Sequence, residues 1–288
     1  MTRSYLFVPA DNSRKLSKAT EVDADALILD LEDSVAASAR RTARALAAEY
    51  LAGRDNAWVR INPIDSDDAS ADLSAVMPSA PAGIVLPKPR SAADVVQLAA
   101  ELDRLESEHG LPAGRTRIMA ICTERPAALF SLHGYVGATA RLAALSWGAE
   151  DLSAALGASA SRDDDGNWLP TYAMARSLAL CAAAAAGVAA VDTVFTDYND
   201  HAGLARFAAN ARRDGFSGML AIHPAQVDII NRAFVPTGAE IEHAERVVAL
   251  FAANPGAGTL GLDGAMLDRP HLLHAERLLQ LARKLAAS

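Results

Sequence analysis

Cysteine is nearly absent, with only Cys122 and Cys181 in 288 residues. Both sit in apolar stretches, which argues against a disulfide framework or a cysteine-based zinc site and reads as inert packing. A basic tract is missing too. With a net charge of −8 and no aromatic-interleaved run of Lys and Arg, nucleic acid and anionic membranes are not expected partners, and an anionic substrate needs local basic groups. No apolar run is long enough to span a bilayer. The longest, SLALCAAAAAGVAAV at 177–191, falls short of the ~20 residues that a span requires and reads as a buried helix. The N-terminus, MTRSYLFVPADNS, has too short an apolar stretch for a signal peptide and breaks at a proline, so the cytoplasm is the expected location. Apart from the alanine run there is no low-complexity segment, and no internal repeat beyond the βα unit.

What is present is a globular composition, 51% hydrophobic and 22% charged, in a chain long enough for one large core or two ordinary ones. Short β-rich runs recur at 4–9, 26–33, 57–62, 83–88, 117–124, 142–151, 191–197 and 219–224. Helical stretches lie between them, for example 38–53 with Gly53 as C-cap and 91–110 with Ser91 as N-cap. Segment 62–83 leaves little room for a regular helix. Eight near-continuous apolar strands alternating with helices predict an α/β fold with a parallel sheet, and their number favours a closed TIM (β/α)8 barrel over residues 1–224. Beyond it, helical stretches at 224–234 and 238–256, a glycine-rich stretch at 254–266 and a last helix at 269–288 make 225–288 a C-terminal helical extension.

In a barrel of this kind the chemistry sits at the C-terminal ends of the strands. The sequence places there Asp30, Glu32 and Asp33; Arg60 and Asn62; Lys88; Glu124; Glu150 and Asp151; Asp197; and His223. Carboxylates converging from separate strands repel one another. A hard cation such as Mg²⁺ relieves that repulsion, taking one or two protein carboxylates and filling its shell with substrate and water. Glu124 and Asp151 are the expected metal ligands. Along strand 26–33 the two-residue period puts Asp30 and Glu32 on one face and Asp33 on the other, which makes Glu32 the expected partner of metal-bound water. Asp33 is equally suited to cap the following helix. Arg60 either grips a substrate carboxylate with its fork or pairs structurally with the acids. Lys88 either binds substrate or pairs with Glu32 or Asp151; so many carboxylates would keep its amine protonated, against a Schiff-base role. His223 reads as a structural strand-end histidine before it reads as a base.

SYLFVPADNSRKLSKA, ADALILDLEDSV, VRIN, LPK, the TE closing the fifth strand, WGAEDLSAALGA, FTDYND, GFSGMLAIHPAQV and GAMLDRPHL follow in order from Ser4 to Leu272. Together they resemble the citrate lyase β-subunit-like proteins of the HpcH/HpaI aldolase superfamily. The resemblance implies a TIM barrel, usually a homotrimer. It implies Mg²⁺, with Mn²⁺ as an alternative, and cleavage or formation of a carbon–carbon bond in a 3-hydroxyacyl-CoA thioester such as citramalyl-CoA or malyl-CoA, yielding acetyl-CoA and a small 2-oxo acid. By the same resemblance Glu124 and Asp151 bind the metal, Arg60 binds the carboxylate of the 2-oxo acid, and Ser13, Arg14 and Lys18 lie near the coenzyme A moiety. Asp268 then serves as general acid–base in the neighbouring subunit's active site, whereas on the residues alone it is a helix cap before Arg269 and Pro270. Three other functions stay open: a citryl-thioester lyase β subunit working on an acyl carrier protein, a CoA-independent metal aldolase, and a non-catalytic metabolite-binding barrel. Two positions depart from the usual pattern. Met219 follows Gly218 where relatives often carry lysine, removing a charge contact with thioester phosphates, and Arg125 stands beside Glu124.

Overall fold

Apolar runs of six to ten residues separated by helices leave each strand one way to bury both faces, side by side with the next and under a layer of helices. The computed structural model, which describes residues 1–286, has that arrangement. In chain order the elements are β1 (Ser4–Pro9), α1 (Ser13–Ala19), β2 (Ala26–Asp30), α2 (Arg40–Leu51), β3 (Ala57–Arg60), α3 (Asp68–Val76), β4 (Gly83–Leu86), α4 (Ala92–Glu108), β5 (Arg117–Ile121), β6 (Leu142–Ser146), α5 (Ala149–Leu156), α6 (Pro170–Ala186), β7 (Ala189–Asp192), α7 (His201–Asp214), β8 (Gly218–Ala221) and α8 (Pro224–Ala233). A 3-10 helix, Pro126–Tyr135, follows β5. Strands β1 to β8 pair in sequence, all parallel, and β8 closes on β1 with Ser4 opposite Met219 and Tyr5 opposite Leu220. This is the TIM barrel that the strand count predicts.

Tyr5, Ile28, Val85, Met119, Ile121, Ala144, Val191 and Leu220 form one buried cluster inside the ring of strands, each worth about 1.5–3 kcal/mol if it is a large apolar side chain. Trp58 packs against it, edge-on to Tyr5 at 6.2 Å. Gly83 makes room for that indole: a Cβ there would lie 2.3 Å from the Trp58 ring. Ser91 caps α4 by accepting from Ala93 N, as expected.

Several expectations change. β1 matches its run, the other strands stop short of the ends of theirs, and β7 and β8 begin two residues and one residue earlier than expected; β2 stops at Asp30 because that side chain turns back to accept from Glu32 N at 3.0 Å and Ser34 N at 3.2 Å, a local bond that competes with the ladder. Segment 62–83 does hold a helix, α3, anchored where Asp72 accepts from Asn62 N and Nδ2, both at 2.8 Å. The cap of α2 is Ala52, and Gly53 takes the left-handed conformation one residue on. The alanine-rich helix α6 is buried on one face only, through Tyr172, Ala175, Ala179, Ala182 and Ala183. Cys181 is on its exposed face, while Cys122 is buried and its thiol is pushed up to about 12 by that burial.

The chain divides into two compact units, Thr2–Asn231 and the segment from Arg232 onward. In the second, α9 (Gly238–Ala253) and α10 (Arg269–Ala286) flank a hairpin of β9 (Thr259–Leu262) and β10 (Ala265–Asp268). The glycine-rich stretch thus supplies two strands that its composition concealed. Ala244, Val247, Leu267 and Ala275 make this unit's own small core. The last two residues of the expected final helix lie outside the described residues. Among the described residues no helix is long and apolar enough to cross a membrane.

Candidate active site

The strand ends β1, β2, β3, β5, β6, β7 and β8 enclose a cavity of about 280 Å³, lined among others by Phe7, Asp30, Arg60, Glu124, Trp147 and Asp151. Arg60, the last residue of β3, faces Asp30, the last of β2, because the two are register partners. Two of its five N–H groups go to that carboxylate, Nε to Oδ1 at 2.7 Å and Nη2 to Oδ2 at 2.6 Å, and Nη1 lies 3.0 Å from Glu32 Oε2. Burial alone would raise the Asp30 carboxyl, but the charge and bonds of Arg60 hold it below the usual range. Arg60 lines the cavity, and two of its five N–H groups are left over by these acids. So Arg60 is both the partner of the acids and a candidate fork.

Lys88 gathers the other acids. Its Nζ donates to Glu32 Oε1 at 2.5 Å and Asp33 Oδ2 at 2.8 Å, and lies 3.2 Å from Asp151 Oδ1. Burial opposes the charged ammonium, yet bonds to Asp33 and Glu32 hold Lys88 above the ordinary lysine range, as the sequence reading expected of a protonated amine. Its backbone sits at φ 50°, a left-handed conformation costly for a side chain larger than glycine. That conformation aims the Lys88 N–H at Glu124 Oε2. Asp33 caps no helix, since Ala36 precedes the first turn. It joins Glu32 on Lys88 because β2 has already ended, so the two-residue alternation no longer separates them.

Glu124 is buried, and burial followed by the charge of Asp151 pushes its carboxyl well above the usual range. Burial also raises Glu32, against the pull of Arg60 and Lys88, and Glu32 Oε2 accepts no hydrogen bond. Asp151 belongs to the first turn of α5, whose N-cap is Gly148. A Cβ at Gly148 would lie 2.6 Å from Glu124 Cγ, so glycine is what lets the helix start against that carboxylate. Among the described residues no group of three or more His, Cys, Asp or Glu side chains is arranged as a metal site. Two carboxylates in mutual repulsion, with Glu32 Oε2 ion-paired to Arg60 nearby, are nevertheless a donor set that suits an octahedral dication with open places.

Beside this cavity lies a groove of about 640 Å³ that shares Phe7, Pro9 and Ile222 with it and is lined by Lys15, Lys18 and His223. Lys18 of the expected coenzyme A stretch lines the groove; Ser13 and Arg14 are on α1 but do not. His223 is exposed, stacked on Tyr198 at 5.0 Å, and its Nδ1 accepts from Ala225 N at 3.2 Å. Asn62 is consumed by Asp72 and Leu31 O, and Asp197 by the amides of Asn199 and Asp200. Both proposed departures lead away from the cavity: Met219 is wholly buried in β8, where Leu220 lines the cavity instead, and Arg125 is forked onto Asp65 at 2.9 and 3.0 Å. Trp147, unread in the sequence, lines the cavity and is fixed by donating Nε1–H to Asp192 at 2.6 Å, which Arg176 also holds; the SWG before two acids was its signal. Asp268 ends β10 in the second unit, with His271 Nδ1 2.5 Å from its Oδ1.

A closed parallel barrel with buried acids and basic groups at its mouth defines the class, a TIM barrel with the acidic mouth of a metal-assisted enzyme. The profile of the HpcH/HpaI aldolase/citrate lyase family matches residues 3–224, and the chain belongs to that family. It is 37% identical to the citrate lyase subunit beta of Escherichia coli over 97% of this chain and 93% of that one. It is 34% identical to a (3S)-malyl-CoA thioesterase of Cereibacter sphaeroides over 99% and 96%. The structure of CitE from Mycobacterium tuberculosis in complex with magnesium, acetoacetate and coenzyme A superposes with a TM-score of 0.84 at 33% identity, covering 98% of each chain.

Proposed function

We propose that this protein is a Mg²⁺-dependent carbon–carbon lyase that cleaves or forms a 3-hydroxyacyl-CoA thioester, malyl-CoA or citramalyl-CoA, giving acetyl-CoA and glyoxylate or pyruvate. The observation that carries this reading is the convergence of Glu124 and Asp151 on one cavity with Arg60 in its wall. Glu124 and Asp151 would hold the ion. Bound there, it supplies a Lewis acid for the hydroxyl and nascent carbonyl of the oxo-acid half. Mg²⁺ and a CoA ligand in a relative of like fold, and the likeness to a malyl-CoA thioesterase, support the same reading.

Arg60 orients the oxo-acid carboxylate through the N–H groups that Asp30 leaves open, and the buried Asp30 keeps the guanidinium from rotating. Lys88 draws Glu32, Asp33 and Asp151 together. The ammonium groups of Lys15 and Lys18 suit the phosphates of coenzyme A, and the groove's continuity with the cavity at Phe7 and Ile222 leads the acyl end inward. Asp268, supplied by a neighbouring copy in a homotrimer, protonates the acetyl enolate carbon in cleavage and takes that proton back in condensation, a role worth typically ~10²–10⁴-fold. The extension from residue 225 thereby completes another subunit's site.

The citrate lyase subunit beta likeness favours a second reading, a β subunit that works on a carrier-protein thioester with partner subunits. One assay separates them: release of acetyl-CoA, free CoA and 2-oxo acid from malyl-CoA and citramalyl-CoA, and of 2-oxo acid from CoA-free oxo-acid aldols, with Mg²⁺ and with EDTA. Metal-dependent release of acetyl-CoA and oxo acid supports the lyase. Free CoA and malate without oxo acid makes it a thioesterase. No turnover by protein that still binds Mg²⁺ favours the carrier-dependent subunit, and turnover of free oxo-acid aldols alone makes it a CoA-independent aldolase. A non-catalytic barrel turns over none of these and binds no Mg²⁺.

A further inference from the structure

Besides its acids and Arg60, the cavity at the barrel mouth has an apolar wall made by Phe7, Ile121, Trp147, Val194 and Leu220. Among the described residues that line it, Arg60 is the one cation. Trp147 is the largest side chain of the wall, and the end of β7 fixes it. Asp192, the last residue of β7, is fully buried. Its Oδ1 accepts from Trp147 Nε1 at 2.6 Å and from the backbone N–H of Thr193 at 2.9 Å. Its Oδ2 accepts from Arg176 Nε at 3.0 Å and Nη2 at 2.7 Å. Those four donors fill the lone-pair sites of a carboxylate. Arg176, on α6, is anchored in turn by Asp214 and lies over the Phe216 ring at 4.5 Å. Trp168 meets Trp147 edge-on at 4.9 Å. One buried carboxylate thus ties together the residues that follow β6 and β7, Trp147 and Thr193, both of which line the cavity.

We propose that Asp192 is a positioning residue for this wall: by holding Trp147 and Thr193 it fits the cavity to 2-oxo acids that carry hydrogen or methyl on the carbonyl carbon, and shuts out larger or charged substituents. This rests on the reading of the cavity as the site of the oxo-acid half. With the carboxylate on Arg60 and the reacting oxygen toward Glu124 and Asp151, the substituent on the reacting carbon is left to the apolar wall. A second carboxylate there, as in oxaloacetate, finds no second cation and loses its hydration without a partner. An added methylene must displace an indole that cannot move without breaking its bond to Asp192.

The test is condensation of acetyl-CoA with glyoxylate, pyruvate, 2-oxobutyrate and oxaloacetate in the presence of Mg²⁺, with chromatography of the CoA thioesters formed. It compares the wild type with Trp147→Phe and Asp192→Asn, alongside nitrogen-15 spectra of tryptophan-labelled enzyme. The wild type is expected to use glyoxylate and pyruvate, with kcat/KM at least about tenfold lower for 2-oxobutyrate and for oxaloacetate. Trp147→Phe, which shrinks the ring and removes the N–H, raises the ratio of 2-oxobutyrate to pyruvate about tenfold. Asp192→Asn leaves one oxygen for Trp147, Thr193 and Arg176 together and moves the ratio the same way. In the spectra the Trp147 indole N–H exchanges slowly with solvent in the wild type and faster in Asp192→Asn. A merely structural role would lower the rates with all acids in parallel, so unchanged ratios in both variants overturn this proposal alone. A wild type that uses 2-oxobutyrate or oxaloacetate as well as pyruvate does the same. No product from any acid overturns the reading beneath it, and the proposal with it. Should neither variant fold, fast exchange of the Trp147 indole N–H in the wild type overturns the proposal.

Discussion

The two ends of the barrel bury carboxylates in opposite ways. At the N-terminal ends of β5 and β6, Arg141 donates to both oxygens of Glu106 and to Asp103, and Glu106 also accepts from the amides of Gly114 and Thr116. Burial would raise Glu106, but the Arg141 and backbone hydrogen bonds hold it down to about 2. At the C-terminal ends the ion-pair partners of Asp30, Glu32, Asp33 and Asp151 among the described residues are Arg60 and Lys88, and Glu124, met by the Lys88 backbone N–H, is pushed up. One end is neutralised within the fold and serves stability. The other keeps an excess of negative charge that a cation from outside can relieve, at the end where barrel enzymes do chemistry.

Substitutions should therefore separate the ends. The largest effect is expected from Glu124→Gln: activity falls about 10³-fold or more, since loss of a metal's Lewis acidity is worth several kcal/mol, while the metal-free protein becomes no less stable because a repelled, buried charge is gone. Calorimetric titration of Mg²⁺ and thermal melts without metal check both halves, and a clear loss of metal-free stability would erase the contrast. Glu106→Gln should do the reverse, destabilising by about 3 kcal/mol because the buried Arg141 keeps only the exposed Asp103 as a charge partner, with kcat unchanged, as urea unfolding and a standard assay would show. The pH dependence has the matching sign. A carboxyl lowered from 4.5 to about 2 stabilises the fold fully above pH 4.5 and loses that contribution as pH falls toward 2, so this acid limb of the unfolding midpoint should shrink in Glu106→Gln.

Gly148→Ala sharpens the comparison on the mouth's side. The new Cβ must displace Glu124, and a misplacement of this order costs about 10²-fold in rate with Mg²⁺ affinity reduced. Wild-type kinetics would mean that Glu124 need not sit where it does. The smallest effect is expected from Lys88→Met, about 1–2 kcal/mol of metal-free stability because its ammonium is partly exposed, with a larger Mg²⁺-induced rise in melting temperature than in the wild type. An unchanged metal response would mean that Lys88 is not the internal counter-charge of the mouth.

Much of the fold was legible because its signals are local. The apolar runs mark all eight strands, and Ser91 caps the helix that it announces. What misled were local rules applied past their range. Strand 26–33 reads as eight continuous residues, yet Asp30 turns its carboxyl onto two amides and ends β2, which moves Asp33 to the side of Glu32. The hairpin of β9 and β10 hides in a glycine-rich stretch, since paired strands there are held by each other rather than by apolar alternation. Met219 and Arg125 look like changes to the site only while their directions are unknown; a buried position in β8 and an ion pair with Asp65 remove them from it.

The sequence by itself determined the strand count, the closed barrel and the set of ionisable residues at the strand ends, because two-residue periodicity and capping act over a few positions. Only the tertiary structure decided which of those residues meet: Arg60 with Asp30, Lys88 with Glu32, Asp33 and Asp151, and Gly148 beneath Glu124. Those pairings join residues far apart in the chain, and the energy of a charge depends on its distance to partners and its burial, neither of which a linear order contains.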